Sequence, residues 1–248
     1  MRARSKKLSW YITWAVIDLL LLALISSFVF SLPVWRIHNV EVRNNVYISK
    51  DKIIRIARVP VNENIFLIDP ADIKERFSKT VQIKDVRIRR SLPGTVVIQV
   101  TERRPFAMVI IGSEPVIVDN EGYILAKQNL SNSIYRSDIG KFPVIRGVSK
   151  KMLENGTRIS EAERVFIKST IELLSKYPSM GSIQMDISDR DNIVLYIEDI
   201  LKVRIGGYGD ISDKIKVLGA LTGSIKGKME KVAYIDVRVP EAPVIRYR

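Results

Sequence analysis

The residues with the greatest capacity for chemistry are few and widely spaced. Three aspartates, Asp186, Asp189 and Asp191, cluster in the stretch DISDRD, where carboxylates in series suit a hard cation such as Ca²⁺. The stretch lacks the glycine and the glutamate of a calcium loop, which favours a turn between two strands. The stretch IGGYGD at Ile205–Asp210 lacks the G-K-[ST] that completes a phosphate-binding loop, and it predicts a tight turn as well.

The rest of the chain offers no recognisable set of catalytic or metal-binding residues. It has no cysteine, and its one histidine, His38, lacks the further ligands that a zinc site needs. The motifs of serine hydrolases, zinc proteases and P-loop proteins do not occur in the sequence. The sequence alone does not reveal carboxylates that come together only in the folded chain. We therefore predict a protein that is not an enzyme and that has no cofactor and no metal.

The first structural element is an apolar stretch from Trp10 to Trp35, in which Asp18 is the one charged residue. Residues 11–34 are long enough for a helix to cross a bilayer core of about 30 Å, and aromatic rings lie at both ends. A soluble core helix would show a polar stripe, and a cleaved signal peptide has a shorter apolar core followed by small residues. We predict a basic cytoplasmic tail at 1–10 and a transmembrane anchor at 11–34. Asp18 is neutral, hydrated near the interface, or paired with a polar group on a helix of a partner.

The net charge of +13 is unevenly distributed along the chain. Residues 36–104 carry an excess of seven basic groups, and residues 1–35 and 105–248 carry an excess of three each. The basic excess therefore follows the apolar stretch, where it suits anionic lipid head groups or acidic wall polymers. The basic stretches lack interleaved aromatic residues, and export would separate them from nucleic acid, so nucleic-acid binding is not predicted.

Residues 36–104 predict a small domain with the order β-α-α-β-β. Ser49 is placed to cap the first helix, and Asp69 followed by Pro70 is placed to begin the second. A hairpin turns at Pro93-Gly94 between two alternating strands. Its arginines are interpreted as a solvated strand edge, with a docking surface as the alternative. These arginines are Arg87, Arg89, Arg90, Arg103 and Arg104.

Residues 105–248 predict a second, β-rich domain with two helices, so the whole chain is of the α+β class. Ser160 and Glu163 form an S-x-x-E capping box at the start of the first of these helices, and Pro178 is placed to end it. The stretch KVAYIDVRV is predicted to close the sheet, and the final APVIRYR is a candidate extension of it.

Two groups of residues in this order resemble the FtsQ/DivIB family of bacterial division proteins. The first group lies after the hairpin and reads I-x-V-x-E-R-x-P-x-A, and the second consists of a K-V-x-x-G strand, a helix with spaced lysines and an I-D-x-R strand. In this chain they are Ile98, Val100, Glu102, Arg103, Pro105 and Ala107, then Lys202, Val203 and Gly206, then Lys214 and Lys216, and finally Ile235, Asp236 and Arg238. The resemblance covers nearly the whole chain and implies that residues 36–104 form a POTRA domain.

The resemblance implies a scaffold of the division machinery in the inner membrane at the septum, with a cytoplasmic N-terminus and both domains outside. The implied partners are FtsB/DivIC-like and FtsL-like membrane proteins, bound by strand addition at the last strand of the sheet, and other division proteins, bound through the POTRA domain. That strand is placed at Val232–Val239, with partner-binding residues Val232, Tyr234, Ile235, Asp236, Val237, Arg238 and Val239. A membrane-anchored POTRA chaperone and an exported wall enzyme are the alternatives.

Overall fold

The computed structural model describes residues 2–127, 133–154, 157–177, 181–225 and 227–248, with side chains from residue 10 onward apart from residue 12. The first element is a long helix, α1, at Arg2–Ser31. Its apolar part at Thr13–Ser31 is long enough to span a membrane, and its side chains lie outside any protein core. The helix therefore includes residues 2–10 of the predicted tail. It ends at Ser31, three residues before the predicted boundary at 34.

The chain divides into two compact units, Met1–Glu102 and Arg103–Arg248. In the first unit the predicted order β-α-α-β-β is confirmed. The central strand of its three-stranded sheet pairs in parallel with the first strand and antiparallel with the hairpin strand. The elements are β1 at Asn39–Arg43, α2 at Lys50–Ala57, α3 at Pro70–Arg76, β2 at Ile83–Ser91 and β3 at Thr95–Glu102.

The two short helices of this unit begin where the sequence predicts. The Ser49 side chain accepts a hydrogen bond from Lys52 N, and the Asp69 carboxylate accepts one from Ala71 N. Both contacts satisfy N–H groups that have no partner within the helix itself. Apolar residues from the helices and from all three strands then form one core, whose fully enclosed members include Ile37, Ile53, Ile65, Val96 and Ile98.

The second unit is built on a nine-stranded sheet with the order β14-β13-β12-β11-β10-β7-β4-β5-β6. Parallel pairs join β7 to β4, β10 to β7 and β13 to β12, and the other neighbours are antiparallel. The strands of this sheet are β4 at Pro105–Ile111, β5 at Glu114–Asp119, β6 at Ile124–Lys127, β7 at Val144–Val148, β10 at Ile183–Asp186, β11 at Ile193–Ile197, β12 at Leu201–Gly206, β13 at Val232–Asp236 and β14 at Val244–Tyr247. A separate two-stranded ladder joins β8 at Leu153–Glu154 to β9 at Arg158–Ile159.

Among the described residues of this unit, two α-helices of 14 residues each pack with the sheet, α4 at Glu161–Leu174 and α5 at Ile211–Ser224. They contact each other, and their apolar faces enter the same core as the sheet. The predicted capping box gives the start of α4 correctly, but the hydrogen bonds of Ser160 and Glu163 differ from those of a capping box. The Ser160 hydroxyl donates to the Glu163 carboxylate and makes no bond to a helix N–H. Glu163 is fully buried and also accepts from the Arg190 guanidinium. The predicted helix end at Pro178 lies outside the described residues.

Candidate partner-binding edge

The outer strand of the large sheet is β14, the last element of the chain. Its only neighbour in the described sheet is β13, and beyond the strand Arg248 N donates to Lys231 O at 2.9 Å. Backbone groups of successive residues in a strand point to opposite sides. Ile245 and Tyr247 therefore direct their N–H and C=O groups away from β13. This edge presents main-chain donors and acceptors to an added strand.

The side chains of β14 leave this edge accessible. Val244 is 52% exposed and Tyr247 is 58% exposed, whereas Ile245 is half-buried and packs on the core of the sheet. Ile245 anchors the strand, while Val244 and Tyr247 keep apolar surface available. An added segment would find an open backbone edge flanked by two large apolar side chains.

The predicted placement of the edge at Val232–Val239 is wrong. The strand β13 ends at Asp236, and the following residues turn, with Ala242 N donating to Val239 O at 3.1 Å. The returning chain then pairs antiparallel with β13. The second long side of β13 is therefore occupied by β14. The final stretch APVIRYR, which the sequence suggested as an extension of the sheet, supplies this outer strand.

The seven predicted partner-binding residues divide into three groups by exposure. Val232, Ile235 and Val237 are buried in the core, Tyr234 and Asp236 are half-buried, and Arg238 and Val239 are exposed. Strict alternation would bury Ala233 in place of Val232. The register between β13 and β14 shifts between Val232 and Tyr234, and this irregularity turns Val232 inward.

The half-buried and exposed members of that set support the sheet locally. Arg238 donates to both Asp236 carboxylate oxygens, from Nε at 3.0 Å to each oxygen and from Nη2 at 2.8 Å to Oδ2. This bond lowers the pKa of Asp236 below its ordinary value. The Arg238 side chain lies over Gly206, where an added Cβ would be 3.0 Å from Arg238 Cγ and the φ angle is +71°. Gly206 of the K-V-x-x-G group and Asp236 and Arg238 of the I-D-x-R group thus form one cluster across β12 and β13.

An adjacent contact links the same two strands through an aromatic ring. The Arg204 guanidinium lies 4.4 Å from the centroid of the Tyr234 ring. In the parallel ladder, Lys202 is opposite Tyr234 and Arg204 is opposite Asp236. The contact between Arg204 and Tyr234 crosses the strand pair and helps to hold β13 in register.

The first motif group also has a structural explanation, which the sequence interpretation missed for Arg103. Glu102 accepts hydrogen bonds from the backbone N–H groups of Val46, Tyr47 and Ile48 at 2.7–3.1 Å, all within the first unit. The other four arginines predicted to be solvated are exposed, but the Arg103 side chain is only 12% exposed.

Arg103 lies within the second unit in a nearly closed cluster of charges. Its Nη1 donates to Asp119 at 2.8 Å and to Glu121 at 2.7 Å, and its guanidinium lies 3.8 Å from the centroid of the Tyr123 ring. Burial opposes the charged form, but the two carboxylates outweigh it and raise the pKa of Arg103. The place of Arg103 in the I-x-V-x-E-R-x-P-x-A group was the sequence signal for this role.

Comparison with protein families assigns both units. The model of the POTRA domain, FtsQ-type, matches residues 35–103. The model of the FtsQ/DivIB cell division protein C-terminal region matches residues 107–238, which is more than half of the chain. The chain belongs to the FtsQ/DivIB family. The β14 edge lies beyond the matched range, so the family match itself does not include it.

Relatives in this family come from several bacterial groups. A cell division protein DivIB from Clostridium tetani is 27% identical over 92% of this chain and 85% of its own length. A cell division protein FtsQ from Syntrophotalea carbinolica is 26% identical over 88% and 76%, and one from Neisseria meningitidis is 24% identical over 82% and 78%. The similarity thus spans both units.

The remaining chemical candidates of this FtsQ/DivIB chain have structural roles or exposed positions. Asp186 accepts bonds from the N–H and hydroxyl of Ser188, and Asp189 accepts one from Asp191 N, so the predicted turn is confirmed. The described residues contain no group of three or more potential metal ligands. Asp18 is exposed on α1 inside the apolar part of the helix.

Proposed function

We propose that this chain is a non-enzymatic scaffold of the division machinery that holds partner proteins by strand addition at β14. The observation that carries the proposal is the open main-chain edge of Val244–Tyr247 at the end of a nine-stranded sheet. Main-chain pairing supplies affinity, and the exposed side chains of Val244 and Tyr247 supply selectivity. The partners are FtsB/DivIC-like and FtsL-like single-pass proteins of the septum.

The proposed topology places α1 in the inner membrane as a type II anchor. The basic residues Arg2, Arg4, Lys6 and Lys7 precede the apolar part of α1, and such residues favour the cytoplasmic side. The POTRA domain and the C-terminal domain then lie outside the membrane. A single-pass partner in the same membrane would meet β14 there and link early division proteins to septal peptidoglycan synthesis.

Site-specific photo-crosslinking of the full chain in dividing cells tests the proposal. A crosslinking residue at Val244 or Tyr247 should capture a small single-pass division protein. The same residue at Val165, which is 48% exposed on α4, is the matched control and should not. Adducts to many unrelated exported proteins would instead favour the chaperone, and release of wall fragments by the purified chain would favour the enzyme.

A backbone substitution separates strand addition from ordinary side-chain contact. Tyr247→Ala removes the side chain and keeps the outward N–H, whereas Tyr247→Pro removes both. One main-chain hydrogen bond and the obstruction by the proline ring together predict a loss of partner affinity of about tenfold or more beyond that of Tyr247→Ala. Equal affinities of the two variants would contradict pairing at β14.

A further inference from the structure

The end of α1 is fixed to the POTRA domain by two side chains and an aromatic cluster. Asn64 Nδ2 donates to Phe30 O at 2.6 Å, and Trp35 Nε1 donates to Val29 O at 2.7 Å. The Phe66 ring lies 5.1 Å from the Phe30 ring and 5.3 Å from the Trp35 ring, edge to face in both cases. The loop that contains Phe66 therefore lies level with the last turn of the apolar helix.

Large apolar side chains are exposed at this same end of the domain. Leu67, next to Phe66, is 81% exposed, Leu92 at the hairpin tip is 55% exposed, and Val34 after α1 is 50% exposed. The tip belongs to this end because Gly94 O accepts hydrogen bonds from the N–H groups of residues 38 and 39. We name Val34, Leu67 and Leu92 the juxtamembrane patch.

Exposed arginines lie around this patch. Arg36 follows it in the chain, and Arg89 and Arg90 precede the hairpin tip. Arg90 Nη2 donates to Ile68 O at 2.8 Å, which ties the hairpin to the loop that carries Leu67. The nearby acids are Glu63 and Asp69, and the Asp69 carboxylate is engaged in capping α3. Guanidinium groups around apolar side chains suit the boundary between lipid phosphates and acyl chains.

We propose that the juxtamembrane patch is a lipid-docking surface that inserts into the head-group region of the bilayer holding α1. The proposal rests on the membrane anchor of the proposed function. A lipid surface is the occupant because the patch is continuous with the lipid-facing helix through the contact between Phe66 and Phe30. The docked patch and the bonds to the end of α1 together fix the tilt of the POTRA domain on the membrane.

The opposite end of the same sheet provides a matched control. Val46 is 75% exposed, and its N–H donates to Glu102 at the far end of β3. The strand β3 has 8 residues from Thr95 to Glu102, so Val46 lies about 20 Å along the sheet from the hairpin tip. Val46 is as apolar and as exposed as the patch residues, but it lies away from the end of α1.

Depth-dependent fluorescence quenching of the full chain in phospholipid vesicles tests the proposal. Because the chain has no cysteine, single variants Leu20→Cys, Val46→Cys, Leu67→Cys and Leu92→Cys accept one fluorophore each. Lipids with a nitroxide at a shallow acyl position should quench the labels at 67 and 92 at least threefold more than the label at 46. Lipids with a deep nitroxide should quench the label at 20, which reports the anchor.

A second variant tests whether the patch docks as one surface. Leu67→Asp should reduce shallow quenching of the label at 92 at least twofold, and Val46→Asp should leave it unchanged. Leu67 is 81% exposed, so the substitution leaves the core intact, and an unchanged melting curve checks this. Unchanged quenching at 92 in Leu67→Asp would overturn docking as a single surface.

The outcomes separate the patch from the anchor. Quenching at 20 with equal, weak quenching at 46, 67 and 92 would overturn lipid docking and leave the anchor intact. Absence of quenching at 20 would overturn the anchor, and the lipid surface with it. Quenching at 67 and 92 that falls when a single-pass division partner is added to the vesicles would overturn the lipid as occupant and assign the patch to protein contact.

Discussion

The adjacent residues Glu102 and Arg103 should stabilise different units of the chain. Glu102 accepts hydrogen bonds from three backbone N–H groups within Met1–Glu102, and Arg103 donates to two carboxylates within Arg103–Arg248. The test pair is Glu102→Ala and Arg103→Met, where methionine keeps much of the apolar stem and removes the charge. Each variant is the control for the other, because the two positions are neighbours in the sequence.

The magnitude for Glu102 follows from the exposure of its partners. The N–H groups of Tyr47 and Ile48 are part-buried, whereas that of Val46 is exposed and finds water when the carboxylate is removed. Two bonds to a charged acceptor that are only part-buried, at about 1.5 kcal/mol each, predict a loss of about 3 kcal/mol for Glu102→Ala. The free energy of unfolding of the POTRA domain should fall by this amount.

The magnitude for Arg103 follows from the charge that remains behind. The Asp119 side chain is 2% exposed and the Glu121 side chain is 33% exposed. Glu121 becomes hydrated, and Asp119 keeps bonds from Glu121 N and Tyr123 N. Loss of one member of a buried ion pair costs about 3–5 kcal/mol. The hydration of Glu121 and the remaining bonds to Asp119 favour the lower end of this range, about 3 kcal/mol. For a unit of about 150 residues, the melting temperature should fall by about 6–12 °C.

Hydrogen exchange followed by mass spectrometry on the full chain in detergent assigns each loss to its unit. Glu102→Ala should accelerate exchange in β1 and β3 and leave β4 and β5 unchanged, and Arg103→Met should do the reverse. The double variant Arg103→Met with Asp119→Asn should recover part of the loss, because it removes the unpaired charge. The reasoning is refuted if either single variant destabilises both units equally or if the double variant loses the sum of the single effects.

Three further outcomes are expected. Gly206→Ala should lose about 1–2 kcal/mol in urea unfolding, because alanine at φ +71° is strained and its Cβ would contact Arg238. Arg238 lowers the folded-state pKa of Asp236. The pair therefore stabilises the folded chain above the ordinary Asp pKa of about 3.9. This stabilisation is lost as the pH falls through the lower pKa of the folded state. Arg238→Met should therefore lower stability at pH 7 and approach the parent chain below about pH 3 in acid titrations followed by circular dichroism. Phe66→Ala removes two edge-to-face contacts of about 0.5–1.5 kcal/mol each and should speed exchange at residues 64–67 about tenfold.

Local signals in the sequence predicted the POTRA domain well. Asp69 with Pro70 and the alternating strands on either side of Pro93-Gly94 specify their elements through neighbouring residues alone. Each of these contacts forms between residues close in the chain, or within a hairpin. The order of the domain could therefore be read before any long-range pairing was known.

Long-range pairing in the C-terminal domain could not be predicted in this way. The stretch Pro105–Ile111 carried no predicted element because it is almost continuously apolar, yet it forms β4 between β5 and β7. The parallel partners of β7, β10 and β12 come from distant segments, and no local pattern specifies them. The misplaced edge has a different origin, because β13 and β14 are consecutive in the chain and the turn after Asp236 returns only four residues to the sheet.

The motif residues and the proposed binding edge obey different physical constraints. Gly206, Asp236 and Arg238 depend on one another, because Gly206 leaves room for the Arg238 side chain and Arg238 donates to the Asp236 carboxylate. The residues of β14 offer backbone groups that every amino acid except proline supplies, so strand addition constrains their sequence weakly. The matched family region contains the cluster and ends at residue 238, before Val244. A binding surface made from main-chain groups is thus found from the strand order of the sheet, and motifs identify the framework that holds that edge in place.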